Sequence, residues 1–184
     1  MIPAAPVELP NGNYAVTYDF VIGNTGGAEM CNLDLLEDFD TQLGCAFQNI
    51  ISTTPIALTN TSSNSTTPTA NIAYDGTAAT ANLFNSDGCL FPGDEIQLSV
   101  TVEIDPNCAG VDDPLLNTAT ICGTDPNTGM KVTDDSDSDT MAGGPDDPTP
   151  LEIPSIDLAK DQISSTALAN GNIEAAYQLS LIHI

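Results

Sequence analysis

The sequence predicts an all-β fold, an antiparallel β-sandwich, and three observations carry that reading. From Glu95 to Ile104, Ile96, Leu98, Val100, Val102 and Ile104 alternate with Gln97, Ser99, Thr101 and Glu103, the period of a strand with one buried face. Tyr14 to Ile22 repeats the pattern, with Tyr14, Val16, Tyr18, Phe20 and Ile22 on one side. No segment sustains a 3.6-residue period, and Gly, Pro, Asn or Asp punctuates every gap. Shorter strands are expected at Asn32–Leu36, Phe47–Ile51, Asn71–Tyr74, Asn82–Phe84, Asn117–Cys122 and Met130–Thr133. Strands of this length and spacing belong to a sandwich. The Ser-, Thr- and Asn-rich stretch from Ser52 to Thr69 reads as a long surface loop holding one ragged strand.

Composition narrows the function. Hydrophobic residues make up 41% of the 184 residues, enough for a core. Against 26 Asp and Glu stand 2 cations, Lys131 and Lys160, for a net charge of −24. Nucleic-acid binding draws most of its affinity from Lys and Arg on phosphates, so this class is excluded. An anionic membrane surface would repel the chain, whereas divalent cations and basic partners would be attracted. No run approaches the roughly 20 apolar residues that span a bilayer, so no direct membrane insertion is expected. Met1-Ile2-Pro3 does not open a signal peptide.

The chain contains an internal repeat. Leu9-Pro10-Asn11-Gly12-Asn13-Tyr14 recurs as Leu168-Ala169-Asn170-Gly171-Asn172-Ile173. The strand Ser155–Lys160, which precedes the second copy, maps onto positions at or before Met1, so the first repeat is expected to lack its opening strand. Between the copies, Asp134-Asp135-Ser136-Asp137-Ser138-Asp139 and the Gly143–Pro150 stretch predict an extended acidic spacer. The expected organisation is a sandwich repeat over 1–133, a linker over 134–153, and the first strands of a truncated second repeat over 154–178. Residues 179–184 match the translation of a common library-adapter end and are read as a sequencing artefact. His183, the one histidine, then falls outside the natural protein.

Several short motifs occur in a fixed order: Gly12-x-Tyr14-x-Val16-x-Tyr18, Asn24-Thr25-Gly26, an acidic strand end near Asp38, Tyr74-Asp75-Gly76, Leu90-x-Pro92-Gly93-Asp94, Asn117-Thr118-Ala119-Thr120 and the Asp134–Asp137 exit. This set resembles the bacterial surface repeat of unknown function known as the "conserved repeat domain", over residues 9 to 140 and again from Ile153. The resemblance implies an immunoglobulin-like Greek-key sandwich, repeated in tandem in large secreted or wall-anchored proteins. It implies no ligand and no catalytic residue. Locally, Asn24-Thr25-Gly26 suits a turn with a left-handed glycine, and Pro92-Gly93 turns the chain into the strand at Glu95.

Five cysteines are present, with no C-x-x-C or Cys/His cluster to suggest zinc. An extracellular context favours disulfides. If the strands alternate direction as in immunoglobulin-like sandwiches, Cys31 and Cys108 lie at one end, and Cys45 and Cys89 at the other. The expected bonds are therefore Cys31–Cys108 and Cys45–Cys89, with Cys122 free and buried on its strand.

With His183 set aside there is no histidine base, and paired carboxylates such as Glu37 and Asp38 are ordinary in so acidic a chain; no enzyme is expected. Cofactors are none, apart from calcium: Asp134, Asp135, Asp137 and Asp139, with Asp146 and Asp147, offer oxygen ligands at the junction, though without EF-hand spacing. A solvated acidic linker is the alternative. Lys160 sits where the lysine of a Lys–Asn isopeptide bond lies in some wall-anchored sandwiches, but the matching position of the first repeat is Met1. The function expected is a structural spacer on an extracellular or cell-surface protein, with neighbouring repeats of the same chain as partners. The alternative is an adhesin module that binds a surface glycan or protein through its loops; aromatics at 5% with no Trp favour the spacer.

Overall fold

The computed structural model describes the chain except residues 1, 4, 60–63, 109–114, 138–145, 152–155 and 184. Its elements are β1 (Ile2–Pro3), β2 (Val7–Glu8), β3 (Tyr14–Gly23), β4 (Met30–Leu36), α1 (Phe39–Leu43), β5 (Phe47–Thr53), β6 (Ala57–Thr59) and β7 (Asp87–Leu90). They continue with β8 (Glu95–Ile104), β9 (Leu115–Asn117), β10 (Thr120–Thr124), β11 (Lys131–Asp135), β12 (Thr149–Leu151), β13 (Ile156–Ala167) and β14 (Ile173–His183). Two compact units result, Met1–Glu152 and Ile153–Ile184.

The first unit is an all-β sandwich. One sheet runs β1-β3-β8-β5, with β2 also on β3 and β6 also on β8; the other runs β11-β10-β4-β7. This is the A-B-E-D against G-F-C arrangement of an immunoglobulin constant-type sandwich, with β7 added beyond the C position. The predicted inner faces form its core: Ile96, Val100, Val102 and Ile104 of β8 have no exposed surface, and neither do Val16 and Tyr18 of β3. Leu33 and Leu35 of β4 oppose them from the second sheet's buried side. Burying a large aliphatic side chain contributes about 2 kcal/mol, so these alternating rows dominate the drive to fold.

Some shorter expectations change. Asn71–Tyr74 is turn and coil, and Asn82–Phe84 makes only isolated bridges, to Leu36 and Ala70. Asn117–Cys122 is two strands, because the chain leaves β12 at Asn117 and joins β4 and β11 at Thr120. The ragged strand within the polar loop is β6, which takes over the edge of β8 after Pro55 interrupts β5. Both ends of the expected linker belong to the first unit: β11 runs through Asp134 and Asp135, and Thr149–Leu151 pairs with Leu115–Asn117. Thr149 and Leu151 are buried there, which is why the acidic stretch is not free over its whole length.

The second unit is a hairpin of β13 and β14, and it reproduces the start of the first. Thr166 pairs with Glu174 and Asp161 with Gln178, as Val7 pairs with Ala15 and Ile2 with Asp19. Both turns close identically: the Leu9 and Leu168 amides donate to the carbonyls of Asn13 and Asn172, at 2.7 and 2.8 Å. Gly12 and Gly171 take φ of +88° and +85°. β14 continues without a break through residues 179–183.

Two glycines separate conformational strain from crowding. Gly88 (φ +74°) lies where a Cβ would stand 2.6 Å from the backbone nitrogen of Pro68, whereas Gly93 (φ +84°) faces open space. Gly93→Ala should cost about 1 kcal/mol and Gly88→Ala roughly 2–4 kcal/mol, because backbone must also move. Thermal melts of the two variants check the order; equal losses would refute the crowding argument.

Candidate functional site

The disulfides differ from the expected pairing. The bonds are Cys31–Cys89 and Cys45–Cys108, with Cα separations of 4.0 and 5.8 Å, and Cys122 is the free cysteine. Cys31–Cys108 and Cys45–Cys89 are thus corrected, and the cause is strand pairing. Cys31 sits inside β4 and lies directly across from Cys89 of β7 in the register Met30–Leu90, Cys31–Cys89, Leu33–Asp87. Cys45 follows α1 and leads into β5, which starts opposite Ile104 at the far end of β8. The Asp105 amide donates to the Ala46 carbonyl at 2.8 Å, which brings the chain leading to Cys108 beside Cys45. Cys122, on β10, is half-buried, and its burial and the nearby Asp34 push its thiol up.

The asparagine of the Asn24-Thr25-Gly26 turn, rather than a left-handed glycine, holds that loop. Its side-chain amide donates to the carbonyls of Ala28 and Leu90, both at 2.8 Å, while Oδ1 accepts from the Gly26 amide at 3.0 Å. Gly26 is not among the residues with positive φ; Gly93 is, in agreement with the Pro92-Gly93 turn. The carbonyl of Asn24 accepts from the Gly93 amide, so one residue ties together the loops after β3 and β7.

At the opposite end lies a buried polar cluster around Glu37, one of the carboxylate pair that the sequence alone marks as ordinary in so acidic a chain. Glu37 follows β4, just before the Asp38 cap of α1, and is 1% exposed. Its two carboxyl oxygens accept from Asn117 Nδ2 at 2.9 Å and Gln42 Nε2 at 3.2 Å. Gln42 also donates to the Thr118 carbonyl and accepts from the Thr118 amide, so the cluster ties α1 to the β9–β10 connection. Tyr18 packs on Phe39 at 5.1 Å, and Phe39 on Phe47 at 5.9 Å, excluding water from one side. The Tyr18 and Tyr74 hydroxyls are buried, with no hydrogen-bond partner among the described residues. Burial drives the Glu37 carboxyl up to about 8, against the opposing Asn117 hydrogen bond. Burial, then the nearby Glu37 carboxyl, pushes the Tyr18 and Tyr74 phenols up as well. At neutral pH Glu37 is mostly a neutral acid, a structural hydrogen-bonding knot between the β4–α1 corner and the motif Asn117–Thr120. That motif was the only sequence signal for Asn117, and nothing in it pointed to Glu37 as the partner.

The acidic residues expected to offer calcium ligands fall on and after β11. Asp134 and Asp135 are on β11, Asp137 follows it, and Asp139 lies outside the described residues. Burial and then Asp146, Asp137 and Asp135 raise the Asp134 carboxyl, so these charges crowd one another. Among the described residues they do not converge as one ligand set. The group whose ligand atoms do lie within 4.8 Å of one another is Glu29, Cys31 and Cys89, and the two sulfurs there are already bonded together. No helix among the described residues is long and apolar enough to cross a membrane.

No family model matches the chain, and no curated protein matches it. Among solved structures it is similar to domains D2 and D3 of the major pilin SpaD from Corynebacterium diphtheriae, at 16% identity with a TM-score of 0.36. The similarity covers 83% of this chain and 58% of that one. The sandwich described above stands on its own strand pairing.

Proposed function

We propose that the chain is a structural spacer, one link of a tandem array on an extracellular or cell-surface protein. The observation that carries this reading is the recurrence of the opening strands: the same turn and the same register appear twice in one chain. A repeated sandwich sets length, and the two disulfides limit how far each link extends under load. Disulfides persist in oxidising compartments, which supports the location. An adhesin would present aromatic anchors; among the described residues Tyr177 is the one exposed aromatic side chain.

Single-molecule stretching from the two ends tests the spacer. The bonds Cys31–Cys89 and Cys45–Cys108 shorten the path through the sandwich, so reduction should release roughly 60 further residues, about 200 Å at about 3.4 Å each. Unfolding below a few piconewtons, or an extension that reduction leaves unchanged, would sink the mechanical role.

Calcium is a second reading, supported by the crowding of Asp134 with Asp135, Asp137 and Asp146. A cation there would relieve their repulsion and stiffen the exit from the sandwich. Calcium should then raise the unfolding midpoint relative to chelator, as binding to the native state requires, and Asp135→Asn with Asp137→Asn should abolish the rise. An unchanged midpoint leaves the aspartates as a solvated exit.

A further inference from the structure

We propose that Glu29, Cys31 and Cys89 form a zinc site in the reduced chain, which oxidation to the cystine replaces. Their ligand atoms lie within 4.8 Å of one another, the one such group of three among the described residues. Cys31 Sγ is 3.4 Å from Glu29 Oε1. Tetrahedral zinc, with bonds of about 2.3 Å to sulfur and about 2.0 Å to oxygen, sets two such ligands about 3.5 Å apart. The carboxylate therefore already stands where a metal on Cys31 needs it.

The backbone holds this arrangement without help from the disulfide. The Cys89 amide donates to the Thr66 carbonyl at 3.0 Å, and the Cys89 carbonyl accepts from the Thr66 amide at 2.9 Å. Both backbone groups of Cys89 thus point away from β4. That makes Cys31–Cys89 a non-hydrogen-bonded pair, the kind whose side chains approach most closely. Met30 opposite Leu90 and Leu33 opposite Asp87 keep β4 and β7 in register on either side. Reduction leaves two thiols facing each other at a set spacing, beside a carboxylate. Cys122 lacks such company: its neighbours across the sheet are Asp34 and Thr133.

Cys31 is buried, while Cys89 and Glu29 are half-buried, so a bound metal keeps its fourth position toward solvent, for water. Two thiolates select a borderline-soft ion over calcium, and zinc has no redox chemistry with which to oxidise them. The net charge of −24 draws cations to the chain. Binding displaces the two thiol protons. A small-molecule disulfide then takes two electrons from the dithiolate. The Cys31–Cys89 bond forms, the reagent's S–S bond breaks into two thiolates, and Zn²⁺ leaves with their charge balancing its own. Until that step the metal holds the correct pair together and keeps both thiols from pairing with Cys45, Cys108 or Cys122.

Alkylation of the fully reduced, full-length chain with and without zinc, followed by peptide mapping, tests this. Zinc should slow alkylation of Cys31 and Cys89 at least tenfold and leave Cys45, Cys108 and Cys122 reactive; calcium should protect none of them. Glu29→Gln should weaken zinc binding at least tenfold, read by competition with a chromogenic chelator. Adding a small disulfide to the zinc-loaded chain should release one zinc per chain. No protection, equal protection of all 5 cysteines as zinc on an unfolded chain gives, or an affinity unchanged in Glu29→Gln would each overturn the proposal. The spacer reading stands or falls separately, on the stretching measurement.

Discussion

Replacing either cystine by a pair of alanines should lower the stability of the sandwich by about 3–4 kcal/mol. Cys31–Cys89 and Cys45–Cys108 span 58 and 63 residues of sequence, and cross-links that close long loops remove the most entropy from the unfolded chain. In a unit of this size such a loss lowers the midpoint by roughly 10 °C. The two loops overlap, so Cys31→Ala with Cys89→Ala and Cys45→Ala with Cys108→Ala should not add fully when combined. Calorimetry of the two double variants and of the quadruple variant measures this. Peptide mapping under non-reducing conditions checks the connectivity, and recovery of a Cys31–Cys108 peptide would refute the register of β4 and β7. Cys122→Ala is the control: already unbonded and half-buried, it should change the midpoint far less.

The second large effect concerns pH. The folded chain holds the Glu37 proton up to about 8, against an ordinary 4.5 when unfolded. Between those values the folded state binds more protons than the unfolded one, so this contribution is fully present below about pH 4.5 and is lost as pH rises through about 8. The slope approaches 1.4 kcal/mol per pH unit, on the order of 4 kcal/mol in all. Asp75, Asp87, Glu103 and Asp125 act in the opposite sense. Hydrogen bonds from Thr80, from Thr69, from Asn11 and from Thr128, respectively, lead in holding their carboxyls low. Their stabilisation is present above their unfolded values and is lost as pH falls through the folded ones. Together these place the stability maximum in mildly acidic solution. Ordinary carboxylates have finished ionising by about pH 6, and since Asp134 and Cys122 are raised as well, the part of a fall between pH 6 and 9 that Glu37→Gln removes reports Glu37. Glu37→Gln, which retains a polar partner for Asn117 and Gln42, should flatten that stretch and be the more stable form at pH 9. A wild-type midpoint that is level above pH 6 would show that Glu37 is charged in the folded state and the argument wrong.

What could be read from the chain alone follows from locality. Period-two alternation is a property of consecutive residues, so the buried faces of Tyr14–Ile22 and Glu95–Ile104 were legible without any partner strand, and with them the all-β class. The Asn-Gly turns and the Pro92-Gly93 turn are equally local, and the repeat needed only comparison of the sequence with itself. Cysteine pairing and the Glu37 knot are of another kind. Cys31 meets Cys89 because β7 returns to β4, Cys45 meets Cys108 because β5 starts opposite the end of β8, and Glu37 meets Asn117 across a separation of 80 residues. Each depends on which strands become neighbours, a choice made by the summed burial of whole faces rather than by the residues that end up in contact. The acidic exit shows both sides: its charge was plain in the sequence, but only the pairing of β11 with β10 and of β12 with β9 drew its ends into the sandwich.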